Sequence, residues 1–130
     1  MAVEAADLLF PVGPLEAAVL WPGVSLTTVN GYLEAFIEDG VTRVASWTAA
    51  ARDAGTKQWA IYRALDAVVR QFVYNASQVA FADEGSAGMS SEQFKMMQAD
   101  RDAALAAFEE LEADVTSDDA GSYGVITSLR

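Results

Sequence analysis

The chain has 130 residues, a formal net charge of −11 and 52% apolar residues, which is enough apolar material for one domain with its own core. It contains no Cys and no His, so disulfides, thiolate zinc sites, thiol catalysis and histidine acid–base chemistry are excluded together. Phosphate-backbone binding needs clustered Lys and Arg, which the acidic balance disfavours. We therefore expect no sequence-specific nucleic-acid binding.

Residues 1–24 form an apolar segment interrupted by three prolines, which predicts an extended N-terminal arm with one short helical turn near residues 15–20. We expect the arm to lie on the body of the domain or on a neighbouring molecule, with Trp21 as its anchor. Glu4 and Asp7 occupy the region where a secretory signal carries positive charge, so no signal peptide is predicted.

A first helix is predicted after residue 24, because apolar residues follow at three- and four-residue spacing. Ser25 or Thr27 can cap its N-terminus. Gly40 suggests a break into two shorter helices, and Asp53-Ala54-Gly55-Thr56 predicts the end of the segment, with Thr56 capping the next helix. The apolar positions are Val29, Leu33, Phe36, Ile37, Val41 and Val44.

A second helix is predicted over residues 57–81, with an apolar face wide enough to indicate a central helix in contact with several neighbours. Asp66 lies between Arg63 and Arg70 at helical spacing, which favours ion pairs along one side of this helix. The main apolar stripe is Trp59, Tyr62, Leu65, Val69, Phe72, Ala76 and Val79.

A third helix is predicted after the short break over residues 83–90, because Ser90 and Gln93 have the spacing of a capping box. Its apolar stripe is narrow and includes Arg101, for which two interpretations stay open. The guanidinium can extend from the edge of the core into solvent, or it can pair with an acid of a neighbouring subunit. The apolar members are Phe94, Met97, Ala104, Leu105, Phe108 and Leu111.

Acidic residues are concentrated late in the chain, since residues 83–130 contain eleven of the nineteen acids but only three of the eight bases. The third helix is expected to present an acidic surface on the side away from its apolar stripe. Asp100 and Asp102 diverge on a helix, so we expect a solvated surface and no metal site. The residues assigned to this surface are Asp100, Asp102, Glu109 and Glu112.

Residues 115–130 are predicted to form a flexible C-terminal tail, because the helical pattern stops after Asp114 and a polar linker follows. The last residues turn apolar again, which is typical either of a docking element or of a disordered end. Tyr123, Val125, Ile126 and Leu129 are the expected docking residues of the tail. Phe10 and Trp21 are those of the arm.

No residue set in the chain has the spacing of a catalytic, cofactor or metal site, so we expect a protein that is not an enzyme and binds no cofactor. Trp47, Trp59 and Tyr62 can line a ligand pocket, but aromatic residues at helical spacing are more often part of a core. No stretch is long and apolar enough for a transmembrane helix. The predicted class is all-α, a small bundle of three to four helices over residues 25–114.

The order of segments resembles the head–tail connector proteins of long-tailed bacteriophages, also called adaptor or head-completion proteins. The resemblance is carried by residues 60–69 (AIYRALDAVV), residues 75–81 (NASQVAF) and residues 88–94 (GMSSEQF), and covers roughly residues 26–112. It lies in the architecture more than in a fixed motif.

This resemblance implies a virion protein, made in the host cytoplasm, that forms a homo-oligomeric ring below the portal, commonly of twelve subunits. Such a ring extends the DNA channel and docks the next neck or tail protein. Residues 123–130 would be the element that reaches the portal, and the acidic helix would let DNA slide without binding. The apolar arm departs from the expected pattern and can instead serve a neighbouring subunit.

An alternative is a small regulatory or antitoxin-like helical module. It would use its acidic surface to mimic DNA or to cover a basic partner protein, and its binding would depend strongly on salt.

Overall fold

The computed structural model describes the backbone of residues 3–78 and 91–127 and the side chains of residues 3–73 and 92–115. The fold is all-α, as predicted from the sequence. Two short helices in the arm precede three long ones, and an isolated bridge between Leu9 and Leu15 is the β pairing within the described residues. The helices are α1 (Ala5–Leu8), α2 (Ala17–Leu20), α3 (Leu26–Arg43), α4 (Ala49–Gln78) and α5 (Ser91–Thr127).

Helix α3 begins as the sequence predicts, because the Ser25 hydroxyl accepts a hydrogen bond of 3.2 Å from the backbone N–H of Thr28. The predicted break at Gly40 is wrong, since α3 continues to Arg43. Gly40 is buried where α3 meets α4, and a Cβ at this position would lie 3.0 Å from the backbone oxygen of Thr56. This glycine therefore permits a close helix–helix contact and does not end a helix.

The predicted break over residues 53–56 is also wrong, because the chain leaves α3 at Val44 and starts α4 at Ala49. Gly55 lies inside α4, where a Cβ would clash with Cζ3 of the Trp47 ring. Thr56 is buried within α4 and caps nothing. Because Gly55 has no side chain, it leaves room for the ring of Trp47, which lies in the segment between α3 and α4. This explains why glycine, which usually follows the end of a helix, occurs here inside one.

Helix α4 is central, as its wide apolar face predicts, and it contacts α1, α3 and α5. Its buried positions extend around about half of the helix circumference, given 3.6 residues per turn. Phe72 stacks on Phe94 of α5 at 4.5 Å between ring centroids, which joins the two helices. The buried apolar residues of α4 are Ala60, Ile61, Ala64, Leu65, Val68 and Val69.

Helix α5 follows the predicted stripe, with Met97, Ala104 and Phe108 buried against the core. The predicted end near Asp114 is wrong, since the helix continues to Thr127. Residues 115–127 include Gly121 and Gly124, each of which costs about 1 kcal/mol inside a helix, but they contain no proline. Loss of the apolar pattern therefore does not by itself end the helix. The predicted break at residues 83–90, with its Ser90 cap, lies outside the described residues.

The N-terminal arm lies on the body of the domain, one of the two alternatives left open by the sequence. Leu8 and Leu15 are fully buried in the same core cluster as Leu33 of α3 and Leu65 of α4. The backbone N–H of Leu15 donates to the carbonyl of Leu8 at 3.0 Å. The arm is therefore part of the hydrophobic core and not a separate extended segment.

The two glycines with opposite surroundings give a direct test of this packing. Gly55→Ala gains about 1 kcal/mol of helix propensity but must displace the Trp47 ring, and overpacking costs about 1–3 kcal/mol. We expect a net loss of up to about 2 kcal/mol in the free energy of unfolding, measured by urea denaturation with circular dichroism.

Gly31→Ala is the matched control, because nothing lies within 4 Å of its added Cβ in α3. We expect this variant to gain about 0.5–1 kcal/mol. If both alanine variants are stabilised, the packing of Trp47 over Gly55 is wrong.

Candidate docking surface

The arm presents an exposed apolar tip between its two buried leucines. Phe10 and Val12 each have 68% of their surface exposed, although Leu8 and Leu15 on either side are fully buried. The backbone N–H of Phe10 donates to the carbonyl of Leu15 at 2.8 Å, and the N–H of Gly13 donates to the carbonyl of Leu9 at 2.8 Å. We call residues 10–13 the arm tip; it is held on a fixed base while its apolar side chains face solvent.

Trp21 packs within the chain. It is half-buried against the main core cluster, and its ring lies 6.0 Å from that of Tyr32 in α3. This contact fits the predicted anchor of the arm. Its predicted role in partner docking stays a prediction, as does that of Phe10, which differs from Trp21 in being largely exposed.

The aromatic residues considered for a ligand pocket pack on one another. The Phe108 ring of α5 lies 5.2 Å from Trp47 and 5.0 Å from Trp59, while the Arg43 guanidinium lies 4.5 Å from the Trp59 ring centroid. These contacts form a second core cluster and support the interpretation of the aromatic residues as core. Side chains of the protein itself fill the space between these rings.

Asp66 of α4 is the centre of a polar network that crosses to α5. Its carboxylate accepts from Arg70 at 2.7 Å, as the helical spacing predicts, and from Arg101 of α5 at 3.3 Å. The hydrogen bond that Arg70 donates to Asp66, together with the negative charge of that carboxylate, raises the pKa of the Arg70 guanidinium. Arg101 also donates to its neighbour Asp102 at 3.0 Å.

This network answers the question left open for Arg101. The guanidinium extends from the edge of the core and pairs with a carboxylate of the same chain. A pair with an acid of a neighbouring subunit stays a prediction. Arg63 does not pair with Asp66; it donates to Asp39 of α3 at 3.0 Å, beside the indole N–H of Trp59, which donates to the same carboxylate at 2.7 Å. Residues of such pairs are far apart in the sequence, so the spacing of charges along one helix does not predict them.

The acidic residues assigned to one surface of α5 do not share a side. Asp102 and Glu109 are seven residues apart and lie on one side with Glu112, whereas Asp100 is about 180° around the helix from Glu109 at 3.6 residues per turn. Asp100 lines the grooves between α5, α4 and the arm. Asp100 is exposed on a different side of α5 from Asp102 and Glu109, and Glu112 is half-buried. The assignment of these residues to one acidic channel or docking surface stays a prediction.

The predicted docking residues of the tail cannot be placed by their side chains. Tyr123, Val125 and Ile126 belong to the backbone of α5, and their side chains lie outside the described residues, as does Leu129 entirely. Sequence reasoning missed Val12 and Met96, which are exposed at 68% and 66%. Pro11 and Pro14, on either side of Val12 and Gly13, could have predicted a turn that exposes Val12.

Within the described residues, no cluster of three or more acidic side chains is arranged to hold a metal ion. No helix in that part of the chain is long and apolar enough to cross a membrane. No protein-family model, curated protein or solved structure matches this chain.

The Asp66 network predicts unequal effects for two carboxylates that both contact Arg101. The Asp66 side chain is only 13% exposed and accepts from two guanidinium groups, while that of Asp102 is 67% exposed. Asp66→Asn should lower the free energy of unfolding by about 1–3 kcal/mol, because it weakens two charge-assisted hydrogen bonds. Asp102→Asn should change it by less than about 0.5 kcal/mol.

Urea denaturation of the two variants beside the parent chain measures both values. Equal losses for the two variants would contradict the assignment of Asp66 as the link between α4 and α5.

Proposed function

We propose that this chain is a structural virion protein that resembles head–tail adaptors of long-tailed bacteriophages. It forms a homo-oligomeric ring below the portal in the neck of the particle, extends the DNA channel and docks the next neck or tail protein. The proposal combines the segment order of the sequence with the apolar tip of the arm.

The arm tip is the observation that carries the proposal. Phe10 and Val12 are largely exposed, yet the backbone beneath them is fixed by hydrogen bonds and by buried leucines on both sides. Exposed aromatic and aliphatic side chains on a rigid base bind at low entropic cost, since little must be ordered on contact. Such a tip suits permanent assembly with a neighbouring subunit or the portal.

The outer acidic side of α5 is consistent with a DNA channel. Asp102 and Glu109 are exposed on the same side, and the half-buried Glu112 lies about 60° around the helix from Glu109. Carboxylates repel the phosphate backbone over about one Debye length, roughly 8 Å at physiological ionic strength. A channel wall of this sign lets DNA pass without holding it.

Substitution of the tip tests the proposal. Phe10→Ser with Val12→Ser should abolish co-sedimentation with the portal protein encoded in the same genome. It should also abolish ring formation, which electron microscopy would score in the parent chain and the variant. Removal of two exposed apolar side chains should change the free energy of unfolding by less than about 1 kcal/mol, because neither is buried in the free chain.

Val41→Ser with Val73→Ser is the control, because both valines are about half exposed but lie on α3 and α4. This variant should still assemble. A parent chain that stays monomeric with portal present and never co-sediments with it would overturn the proposal.

The second candidate is the antitoxin-like module that binds a basic partner, favoured by the acidic side of α5. It predicts capture of a basic protein that weakens steeply as salt is raised and is indifferent to the tip substitutions. Capture that does not depend on salt would count against it.

A further inference from the structure

Two grooves meet along the line where the arm lies against α4 and α5. One, of about 320 Å³, runs between α2 and the first turns of α5. The other, of about 400 Å³, runs between the arm tip, the middle of α4 and α5. They share Pro14, Leu65 and Asp100 as lining residues. Together they form one continuous trough, here called the arm groove, that is longer than either part.

The lining of the arm groove is apolar and adaptable at one end. Val19, Met96 and Met97 line the part beside α2; Met96 is 66% exposed, while Met97 is buried in the core beneath it. Unbranched thioether side chains reshape at low cost around an apolar partner, which is why methionines recur at peptide-binding surfaces. This end therefore suits an inserted aliphatic or aromatic side chain.

The charged residues that line the arm groove are unevenly placed: acids lie at the methionine end and in the part that both grooves share, and a lysine lies at the other end. Glu16 and Asp100 line the methionine end without an ion pair to any described side chain, and no Lys or Arg lines that part of the groove. Lys57 lines the other end. A complementary partner segment would place a Lys or Arg beside its apolar side chain at the methionine end, and it could place an acid beside Lys57.

A second copy of the chain does not meet these requirements through its exposed tip. The arm tip supplies Phe10 and Val12 but no Lys or Arg, and the chain as a whole has a net charge of −11. Two such chains repel each other at the groove, whereas a basic amphipathic segment of another protein is attracted.

We propose that the arm groove binds an amphipathic segment of a partner protein, which places an apolar side chain on Met96 and Met97 and a Lys or Arg near Asp100 and Glu16. Helices that lie in apolar grooves are a common form of peptide recognition. The inference goes beyond the adaptor role, because it depends on the lining and charge of the groove and holds whether or not the chain forms a ring.

The experiment titrates the full chain, labelled with ¹³C at the methionine methyl groups, with two synthetic helical peptides that share one leucine stripe. One peptide carries lysines beside the stripe and the other carries glutamates at the same positions. We expect the lysine peptide to shift the Met96 and Met97 signals, assigned through single leucine variants, and to bind about five- to tenfold more tightly than the glutamate peptide.

Glu16→Gln with Asp100→Asn should lower the affinity for the lysine peptide about fivefold. Glu34→Gln with Glu38→Gln is the matched control, since it removes the same charge from exposed positions of α3 that do not line the groove. The control should bind as the parent chain does, and circular dichroism checks that both variants fold.

Equal affinity for the two peptides, unmoved Met96 and Met97 signals, or an equal loss in the control variant would overturn the proposal. So would a concentration-dependent shift of the Met96 signal without peptide, accompanied by dimer formation in sedimentation, because a second copy would then occupy the groove.

Discussion

The fold depends on covering the wide apolar face of α4. Its buried residues extend around about half of the helix, from Ala60 to Val69, which is more than one neighbouring helix can cover. Helix α3 and helix α5 cover two parts of this apolar face, and Leu8 and Leu15 of the arm cover the rest. The arm therefore belongs to the core. Its tip is exposed because Leu8 and Leu15, on either side of the tip, are buried in the core cluster with residues of α4.

The fold also requires α3 and the segment that follows it to approach α4 closely, and two glycines make this possible. Gly40 lets α3 approach Thr56, and Gly55 leaves space for the Trp47 ring. Phe108 of α5 then fills the space between Trp47 and Trp59. This arrangement links the short α3–α4 connection to the third long helix, so one cluster of rings holds three segments of the chain together.

Much of this architecture is predictable from the sequence where the signal is periodic. The Ser25 cap, the stripe of α4 and the stripe of α5 follow directly from spacing. Helix ends were predicted poorly because Gly40 and Gly55 are ordinary stop signals locally, and only tertiary contact shows that they are packing positions. The extension of α5 beyond Asp114 was missed because the apolar pattern stops there, although no proline follows to block the helix.

The candidate docking features were only partly predictable. Phe10 could be named from the apolar arm, but its exposure depends on which neighbouring residues are buried. Asp66 and Arg101 are 35 residues apart, and no local rule pairs them. The arm groove requires α2, α4 and α5 to meet, so Met96 and Asp100 acquire a shared environment only in the folded chain.

The central claim is that the arm is folded into the core of the free chain while its tip side chains remain available. Amide hydrogen exchange of the isolated protein tests it most directly. The account predicts that the amides of Phe10, Gly13 and Leu15, which donate within the arm, exchange slowly, together with those of the α4 core. Exchange of these three amides at the rate of an unfolded peptide, with α4 still protected, would contradict it.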